Sequence, residues 1–199
     1  MTARLTIKQL RTLHVGPLDL QLAAGECVVI AGPSGAGKTL LLRAIADLDA
    51  HDGELLLDGE SCAAMKAHQW RQRVALLPAE SQWWGERIGL HFEDYDAKLL
   101  EMLGFGPEVM GWEVAHCSTG ERQRLALLRL LQNGPSVLLL DEPTASLDAA
   151  NVARVEAVIE RLRGERGVAV LWVSHDTAQA ERIASRRLQM AAGRLQEAG

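Results

Sequence analysis

The chain has 199 residues, which is enough for one domain with a sizeable core, or for one domain with a small appended lobe. Its 21 basic and 26 acidic side chains give a net charge of −5, which argues against a surface built to hold nucleic acid or an anionic membrane. No apolar run approaches the ~18 residues of a membrane-spanning helix, so any membrane role requires a partner. The N-terminus lacks the continuous apolar segment of a secretory signal, and we therefore expect a cytoplasmic protein. The three cysteines lack C-x-x-C spacing and predict neither a disulfide framework nor a zinc site.

The N-terminal segments alternate apolar and polar residues until they reach a glycine-rich loop. Segments 5–9 and 18–22 have the alternation of half-buried strands, and Gly16-Pro17 is expected to turn the chain between them. The run 28–31 is apolar throughout, which is typical of a fully buried strand. Segment 38–46 has a helix-forming composition, and a further strand is expected at 54–57, before the Asp58-Gly59 turn.

The loop between the buried strand and this helix fits the phosphate-binding pattern G-x-x-x-x-G-K-[ST] at every fixed position. It consists of Gly32, Pro33, Ser34, Gly35, Ala36, Gly37, Lys38 and Thr39, and Leu40 continues the helix. Glycines let backbone N–H groups crowd around phosphate oxygens, while the helix points its positive end at the same anion. The pattern places Lys38 at the terminal phosphates and the Thr39 hydroxyl on Mg²⁺. An ordinary strand-to-helix turn is the less favoured alternative.

The composition changes between residues 80 and 134, where most of the aromatic residues gather. Segment 97–103 has helical composition closed by Gly104, and segment 119–132 repeats leucine on one face. We interpret 80–134 as a small helical lobe inserted into a core made of about 1–78 and 136–199. The aromatic residues of this lobe are Trp83, Trp84, Phe92, Tyr95, Phe105 and Trp112.

Two aliphatic runs, 137–140 and 168–173, predict strands buried on both faces, and residues 152–162 between them have helical spacing. A strand, helix, strand succession predicts a parallel sheet with covering helices. The predicted fold class is therefore α/β. It consists of a phosphate-loop NTPase core with a mostly parallel sheet flanked by helices, an N-terminal antiparallel β element and the inserted lobe, all in a single domain over residues 1–199.

Polar residues with suitable chemistry follow both of these strands. The first strand ends in Asp141 and Glu142. An acid at this place holds Mg²⁺ in phosphate-loop NTPases, and a second one can orient or deprotonate the attacking water. His175 follows the second strand closely, where α/β sheets place ligands. The alternatives, two acids that merely cap a strand and a structural histidine, are disfavoured beside a phosphate loop.

One more motif precedes the acidic strand. Ser118 and Glu121 have the spacing of a capping box, which opens a helix whose N-terminus can meet a phosphate. With these parts assembled, the chain resembles the ATP-binding cassette ATPases, the nucleotide-binding subunits of ABC transporters, over essentially its whole length. Residues 32–39 resemble Walker A, 117–121 the signature, 138–142 Walker B and 146–148 the D-loop, and His175 resembles the switch histidine.

The resemblance implies a head-to-tail homodimer that binds ATP and Mg²⁺ between one subunit's Walker motifs and the other's signature. It makes Ser118, Gly120 and Glu121 of the signature and Asp148 of the D-loop nucleotide-binding residues, with Ser118 and Gly120 acting in trans. Glu142 is then the general base, and His175 contacts the γ-phosphate. The expected partner is an integral membrane subunit at the inner face of the membrane, and no nucleic acid is expected. A soluble ABC-type ATPase acting on nucleic acid or the ribosome, and a non-hydrolysing regulator, are the alternatives.

The signature departs from the family pattern. Cys117, Thr119 and Glu121 stand where leucine, glycine and glutamine are usual, and we expect the Cβ of Thr119 to weaken the trans site.

Three further features lie outside the pattern. Ala79 stands where the family has a Mg²⁺-binding glutamine; Glu80 or Gln82 offers an oxygen ligand instead, and a solvated loop is the alternative. No Phe, Tyr or Trp precedes the glycine-rich loop, and His14 is the only ring there. Its position looks poor for stacking on a base, so GTP is expected to bind nearly as well as ATP. The pair Trp83-Trp84 is predicted either to anchor the membrane subunit or to pack inside the lobe.

Overall fold

The computed structural model describes residues 3–197, which form two sheets and six α-helices. The strands are β1 (Ala3–Thr12), β2 (Val15–Ala23), β3 (Cys27–Ala31), β4 (Asp52–Leu57), β5 (Glu60–Ser61), β6 (Val74–Leu77), β7 (Val137–Asp141), β8 (Ala169–Val173), β9 (Arg186–Ala191) and β10 (Arg194–Glu197). The helices are α1 (Lys38–Ile45), α2 (Ala67–Arg73), α3 (Ala97–Met102), α4 (Thr119–Leu131), α5 (Ala149–Arg166) and α6 (Thr177–Ile183). This architecture confirms the predicted α/β class, with a mostly parallel sheet, an antiparallel N-terminal element and flanking helices.

The larger sheet has the strand order β10-β9-β3-β8-β7-β6 and is parallel except for β10, which pairs antiparallel with β9. All five residues of β7 and of β8 are buried, as expected for aliphatic strands covered on both faces. The register pairs Val173 of β8 with Ile30 on one side and with Asp141 on the other. The ends of β3, β7 and β8 therefore lie side by side at one edge of the sheet, where the candidate site residues follow them.

The smaller sheet is antiparallel, in the order β2-β1-β4-β5, and its first two strands are longer than the sequence suggested. The prediction of a turn at Gly16-Pro17 is wrong, because both residues lie within β2 and the chain turns at Leu13-His14. Gly16 is needed for a different reason: a Cβ there would collide with the carbonyl oxygen of Leu10. Its N–H donates to the carbonyl of Gly193 at 2.8 Å, which ties the hairpin to the other sheet.

Buried apolar residues form two clusters, one on each face of the larger sheet. The strands supply alternate residues to them: Val28 and Ile30 face one cluster, whereas Cys27 and Val29 face the other. The first cluster is completed by α1, α2 and the smaller sheet, and the second by α3, α4 and α5. Since protein interiors are close-packed, the loops at the strand ends stand on a rigid platform.

Residues between β6 and β7 contain α3, α4 and three short 3₁₀ turns, and their apolar side chains share the second cluster with the sheet. None of the helices in 3–197 is both long enough and apolar enough to cross a membrane.

Candidate nucleotide-binding site

A cavity of about 310 Å³ lies at the carboxyl edge of the parallel sheet. Its lining comes from the three neighbouring strand ends and from the β1–β2 turn. The structure therefore brings the glycine-rich loop, both acids and the predicted histidine to one place. The lining residues are His14, Ser34, Gly35, Gly37, Lys38, Thr39, Leu40, Asp141, Glu142 and His175.

The glycine-rich loop wraps closely around the start of α1. Gly37 is the N-cap of α1 with φ 103°, a left-handed conformation that favours glycine. A Cβ at Gly32 would collide with the carbonyl oxygen of Met190 on β9, whereas nothing lies within 4 Å of a Cβ built on Gly35. Gly32 is thus fixed by packing, and Gly35 leaves room for a ligand beside the backbone.

Lys38 points back over this loop. Its ammonium group donates to the carbonyl oxygens of Gly32 at 2.7 Å and Pro33 at 3.0 Å, and the residue is only 7% exposed. The positive charge is therefore already desolvated and held inside the loop. An anion can replace the carbonyl groups as the partner of the ammonium group, and the side chain loses little further conformational entropy when it does.

Thr39 and Asp141 form the oxygen-rich part of the cavity. The Thr39 hydroxyl donates to Oδ2 of Asp141 at 2.7 Å, and Asp141 is 5% exposed. Burial raises the pKa of Asp141, and the hydrogen bond from Thr39 opposes this shift. A hydroxyl and a carboxylate held side by side are the hard oxygen donors that Mg²⁺ prefers, so these two residues fit the expected cation.

Glu142 is turned into the cavity by an uncommon backbone conformation. Its φ of 48° lies in the left-handed region, which costs a non-glycine residue on the order of 1 kcal/mol, and its N–H is bound to the carbonyl oxygen of Val173 at 3.1 Å. This conformation brings Oε1 of Glu142 to 2.9 Å from Nε2 of His175. Both side chains are partly exposed at the mouth of the cavity, where a water molecule can reach the carboxylate.

The predicted signature residues lie outside this cavity. The side-chain oxygen of Ser118 accepts from the Glu121 N–H at 3.2 Å, and Oε2 of Glu121 accepts from the Ser118 N–H at 2.7 Å, so the expected capping box is present at α4. Hydrogen bonds from Ser118 lower the pKa of Glu121. Gly120 packs against the D-loop, since a Cβ there would lie 2.9 Å from Leu147 Cδ2. Asp148 is the N-cap of α5 and accepts from the Asn151 N–H at 2.9 Å.

His14 lies nearer the cavity than its place in the sequence suggests. It lines the cavity, and its Nε2 lies 3.8 Å from a Cβ built on Gly37. The reason is the longer β1–β2 hairpin, whose turn reaches the glycine-rich loop. By contrast, Ala79, Glu80 and Gln82 are not among the lining residues.

The two predicted tryptophans differ in exposure. Trp83 is half-buried, whereas Trp84 is 75% exposed. Arg129 stacks over both indole rings, at 4.4 and 4.7 Å from their centroids, and both rings meet His91 edge-on. Trp84 borders a groove of about 590 Å³ between β6, α4 and the segment 81–94, beside the exposed Leu90.

Comparison with known proteins places these features in a family. The family model described as ABC transporter matches residues 15–145. The chain is 36% identical to the aliphatic sulfonates import ATP-binding protein SsuB of Yersinia pestis bv. Antiqua (strain Antiqua), covering 89% of this chain and 67% of that one. It is 34% identical to the probable iron export ATP-binding protein FetA of Escherichia coli (strain K12), covering 91% of this chain and 87% of that one.

Two solved structures have the same fold. The ATP-binding cassette MJ0796, a dimer bound to ADP and Pi, superposes with a TM-score of 0.82 at 21% identity, covering 97% of this chain and 98% of that one. A bacterial Atm1-family ABC exporter with ATP bound gives a TM-score of 0.85 at 22% identity, covering 98% of this chain and 38% of that one.

Proposed function

The chain belongs to the ABC transporter family as an ATP-binding ATPase subunit, and from this premise we propose that its cavity binds and hydrolyses MgATP within a head-to-tail homodimer. One observation carries the assignment of residues. A desolvated lysine, a hydroxyl–carboxylate pair and a carboxylate–histidine pair converge on the same cavity from three strand ends. Phosphoryl transfer is catalysed mainly by positioning and electrostatic stabilisation, which such an arrangement supplies.

Each side chain has a distinct part in this proposal. Backbone N–H groups of the loop 32–39 hold the phosphates, and Lys38 exchanges its carbonyl partners for phosphate oxygens. Glu142 orients and deprotonates the attacking water, and His175 donates to the γ-phosphate. Thr39 and Asp141 would hold Mg²⁺, which would supply neutralisation of phosphate charge when bound. In the described range 3–197, no three or more His, Cys, Asp or Glu side chains are grouped as a metal site.

The dimer is proposed because one chain supplies only part of the site. Ser118, Gly120, Glu121 and Asp148 do not line the cavity of their own chain. Ser118 and Thr119 are exposed at the start of the 13-residue helix α4, whose N-terminal end attracts anions. A second chain turned head to tail brings this helix end against the γ-phosphate. Gly120 and Leu147 pack together, so the signature and the D-loop are positioned as one unit.

We further propose that the chain acts at the cytoplasmic face of the membrane by docking to a separate integral membrane subunit. The groove beside Trp84 offers an exposed tryptophan and an exposed leucine within a lining that is about half polar, and tryptophan is a common interface anchor. This groove is built on β6 and α4, and β6 adjoins β7, which ends at Asp141 and is followed by Glu142. A partner in the groove can therefore respond to closure around the nucleotide.

The hydrolysis proposal is tested with Glu142→Gln. The substitution keeps size and removes the base, so turnover falls by a factor on the order of 10² or more while MgATP affinity remains within about twofold. Phosphate release and equilibrium nucleotide binding are measured on the same preparation. Turnover that survives the substitution rules out Glu142 as the base. Turnover per subunit that does not rise with protein concentration contradicts the proposed dimer.

The docking proposal is tested by co-purification with the membrane subunit. Trp84→Ala is expected to weaken the complex at least tenfold and to leave basal ATP hydrolysis unchanged, since the ring lies outside the nucleotide cavity. Trp112→Ala is the matched control, because Trp112 is 38% exposed and does not line the groove. Equal loss of binding in both variants, or none in either, refutes this docking surface.

A further inference from the structure

A buried side-chain amide lies beneath the loops that carry Glu142 and His175. Gln179, on the first turn of α6, is 1% exposed. Its Nε2 donates to Glu156 Oε1 at 2.9 Å and to Thr144 Oγ1 at 3.1 Å, and its Oε1 accepts from the Ser174 hydroxyl at 3.0 Å. Because an ionised carboxylate only accepts hydrogen bonds, Glu156 fixes which end of the amide faces it. Each polar atom of this amide therefore has a partner.

These partners connect the two catalytic loops. Thr144 lies two residues after Glu142, and Ser174 directly precedes His175. On the open side the loops meet through the 2.9 Å contact between Glu142 and His175, and on the buried side they meet through the amide of Gln179. We propose that Gln179 is a positioning residue for ATP hydrolysis, which holds both loops in register from below. This inference rests on the proposed roles of Glu142 and His175.

The amide is itself anchored away from the nucleotide. Arg182 holds the Glu156 carboxylate through two hydrogen bonds of 2.7 and 2.9 Å. Burial alone would raise the pKa of Glu156, but the hydrogen bonds from Arg182 and Gln179 outweigh it and lower this pKa. The Gln179 N–H donates to Oδ1 of Asp176 at 3.0 Å. The anchor is therefore a charged pair between α5 and α6 that does not include any residue lining the cavity.

A purely structural role does not require this chemistry. Methionine has a similar length and would fill the same buried space, but Glu156, Thr144 and Ser174 would each lose a hydrogen-bond partner and some stability would be lost. A network that is fully satisfied specifies one arrangement of the groups it joins. We therefore expect the loss of Gln179 to lower the rate of hydrolysis more than nucleotide affinity.

The first test is Gln179→Met, with turnover, MgATP affinity and thermal unfolding measured on each sample. Turnover is expected to fall about 5- to 30-fold, the upper part of the roughly 2- to 30-fold range for residues that couple sites without touching ligand, while MgATP affinity changes less than about twofold. The control is Arg163→Met, which removes the hydrogen bond of 3.2 Å to the Ile183 carbonyl at the other end of α6, together with those to the Gly25 carbonyl and to the side chains of Glu160 and Ser185. This control should retain turnover within about twofold, since Arg163 contacts neither loop.

The second test exchanges the amide and the carboxylate. Gln179→Glu alone places two carboxylates together and should lower turnover at least as much as Gln179→Met. Combined with Glu156→Gln, it restores one donor and one acceptor across the contact, so turnover should return to within about threefold of the parent.

Three results overturn the inference: unchanged turnover in Gln179→Met, equal loss in Arg163→Met, and no rescue by the exchange. Each of these results counts only if the parent protein hydrolyses ATP. A parent protein without ATP hydrolysis refutes the proposed function, so failure of that proposal is distinguishable from failure of the inference about Gln179.

Discussion

Asp141 is expected to reduce the stability of the Mg²⁺-free protein while it enables the cation to bind. The carboxylate of Asp141 is 5% exposed, has the Thr39 hydroxyl as its hydrogen-bond donor and lies beside the like charge of Glu142. Asp141→Asn removes the buried charge and keeps an oxygen that accepts from Thr39. The variant should therefore be more stable than the parent at neutral pH when Mg²⁺ and nucleotide are absent, although it loses ATP hydrolysis.

The size of the effect follows from the chain length. Single stabilising substitutions commonly contribute about 0.5–2 kcal/mol. For 199 residues the entropy of unfolding is about 0.4 kcal/mol per kelvin, so Tm should rise by about 1–5 °C. Magnesium and a non-hydrolysable ATP analogue at about 100 times Kd add about 2.7 kcal/mol to the parent, which corresponds to about 6 °C. If the variant binds about 100-fold less tightly, it gains only about 0.4 kcal/mol, and the order of stability reverses.

The pH dependence has a definite sign. The folded pKa of Asp141 lies above that of an unfolded aspartate, so between the two values the folded state binds more protons. The free energy of unfolding contributed by this group therefore falls as pH rises through that window. The advantage of Asp141→Asn should be greatest above the raised pKa and should disappear as pH is lowered through it towards the ordinary aspartate value of about 4.

Differential scanning calorimetry of parent and variant, with and without the ligand, measures all of these differences. Glu142→Gln is the matched control, since the Glu142 side chain is 33% exposed and its removal should shift Tm less. A lower Tm for Asp141→Asn in the Mg²⁺-free state refutes the reasoning, as does an advantage that grows on acidification.

Three further predictions concern the parts of the site around the nucleotide. Thr119→Gly should leave nucleotide affinity of the monomer unchanged and raise dimer-dependent hydrolysis, because it removes an exposed Cβ at the start of α4; equal turnover in both forms contradicts this. Gly120→Ala should lower dimer-dependent hydrolysis, since its Cβ would stand 3.1 Å from the Ser146 carbonyl oxygen; a displaced D-loop should appear in hydrogen exchange, and unaltered turnover argues against it. His14→Ala should weaken ATP and GTP equally, by about fivefold, because stacking does not distinguish the bases; equilibrium titration checks this, and a strong preference of the parent for ATP contradicts it.

The fold and the site residues are predicted most completely from the sequence where one local pattern specifies both the structure and the chemistry. The glycine-rich loop has fixed spacing, and β7 and β8 are short, largely apolar runs that are typical of buried strands. Parallel pairing then places Asp141 and His175 at one edge without further information. The α/β class and the convergence of these residues on one cavity follow from that reasoning.

The elements that sequence reasoning missed depend on tertiary packing. Helices α2 and α6 have seven residues each, too few for a clear helical period, and β9 and β10 carry arginine and glutamine at several positions. The place of His14 depends on the length of the β1–β2 hairpin, which the sequence does not fix because Gly16-Pro17 suggests a turn there. The strands in fact pair as far as Thr12 and Val15, so the turn lies between those two residues.

Gln179 shows why the supporting residues of a site are harder to find than its ligands. A glutamine in a short polar helix carries no signal of its own, since the same residue type is usually exposed. Its significance arises from partners 5, 23 and 35 positions away, which only the packed α5, α6 and strand ends bring together. The residues that touch the nucleotide are constrained by phosphate and cation chemistry and therefore recur as motifs. The residues that hold them need only match one another, so an amide and a carboxylate can exchange places, and the exchange experiment at Gln179 and Glu156 tests this freedom directly.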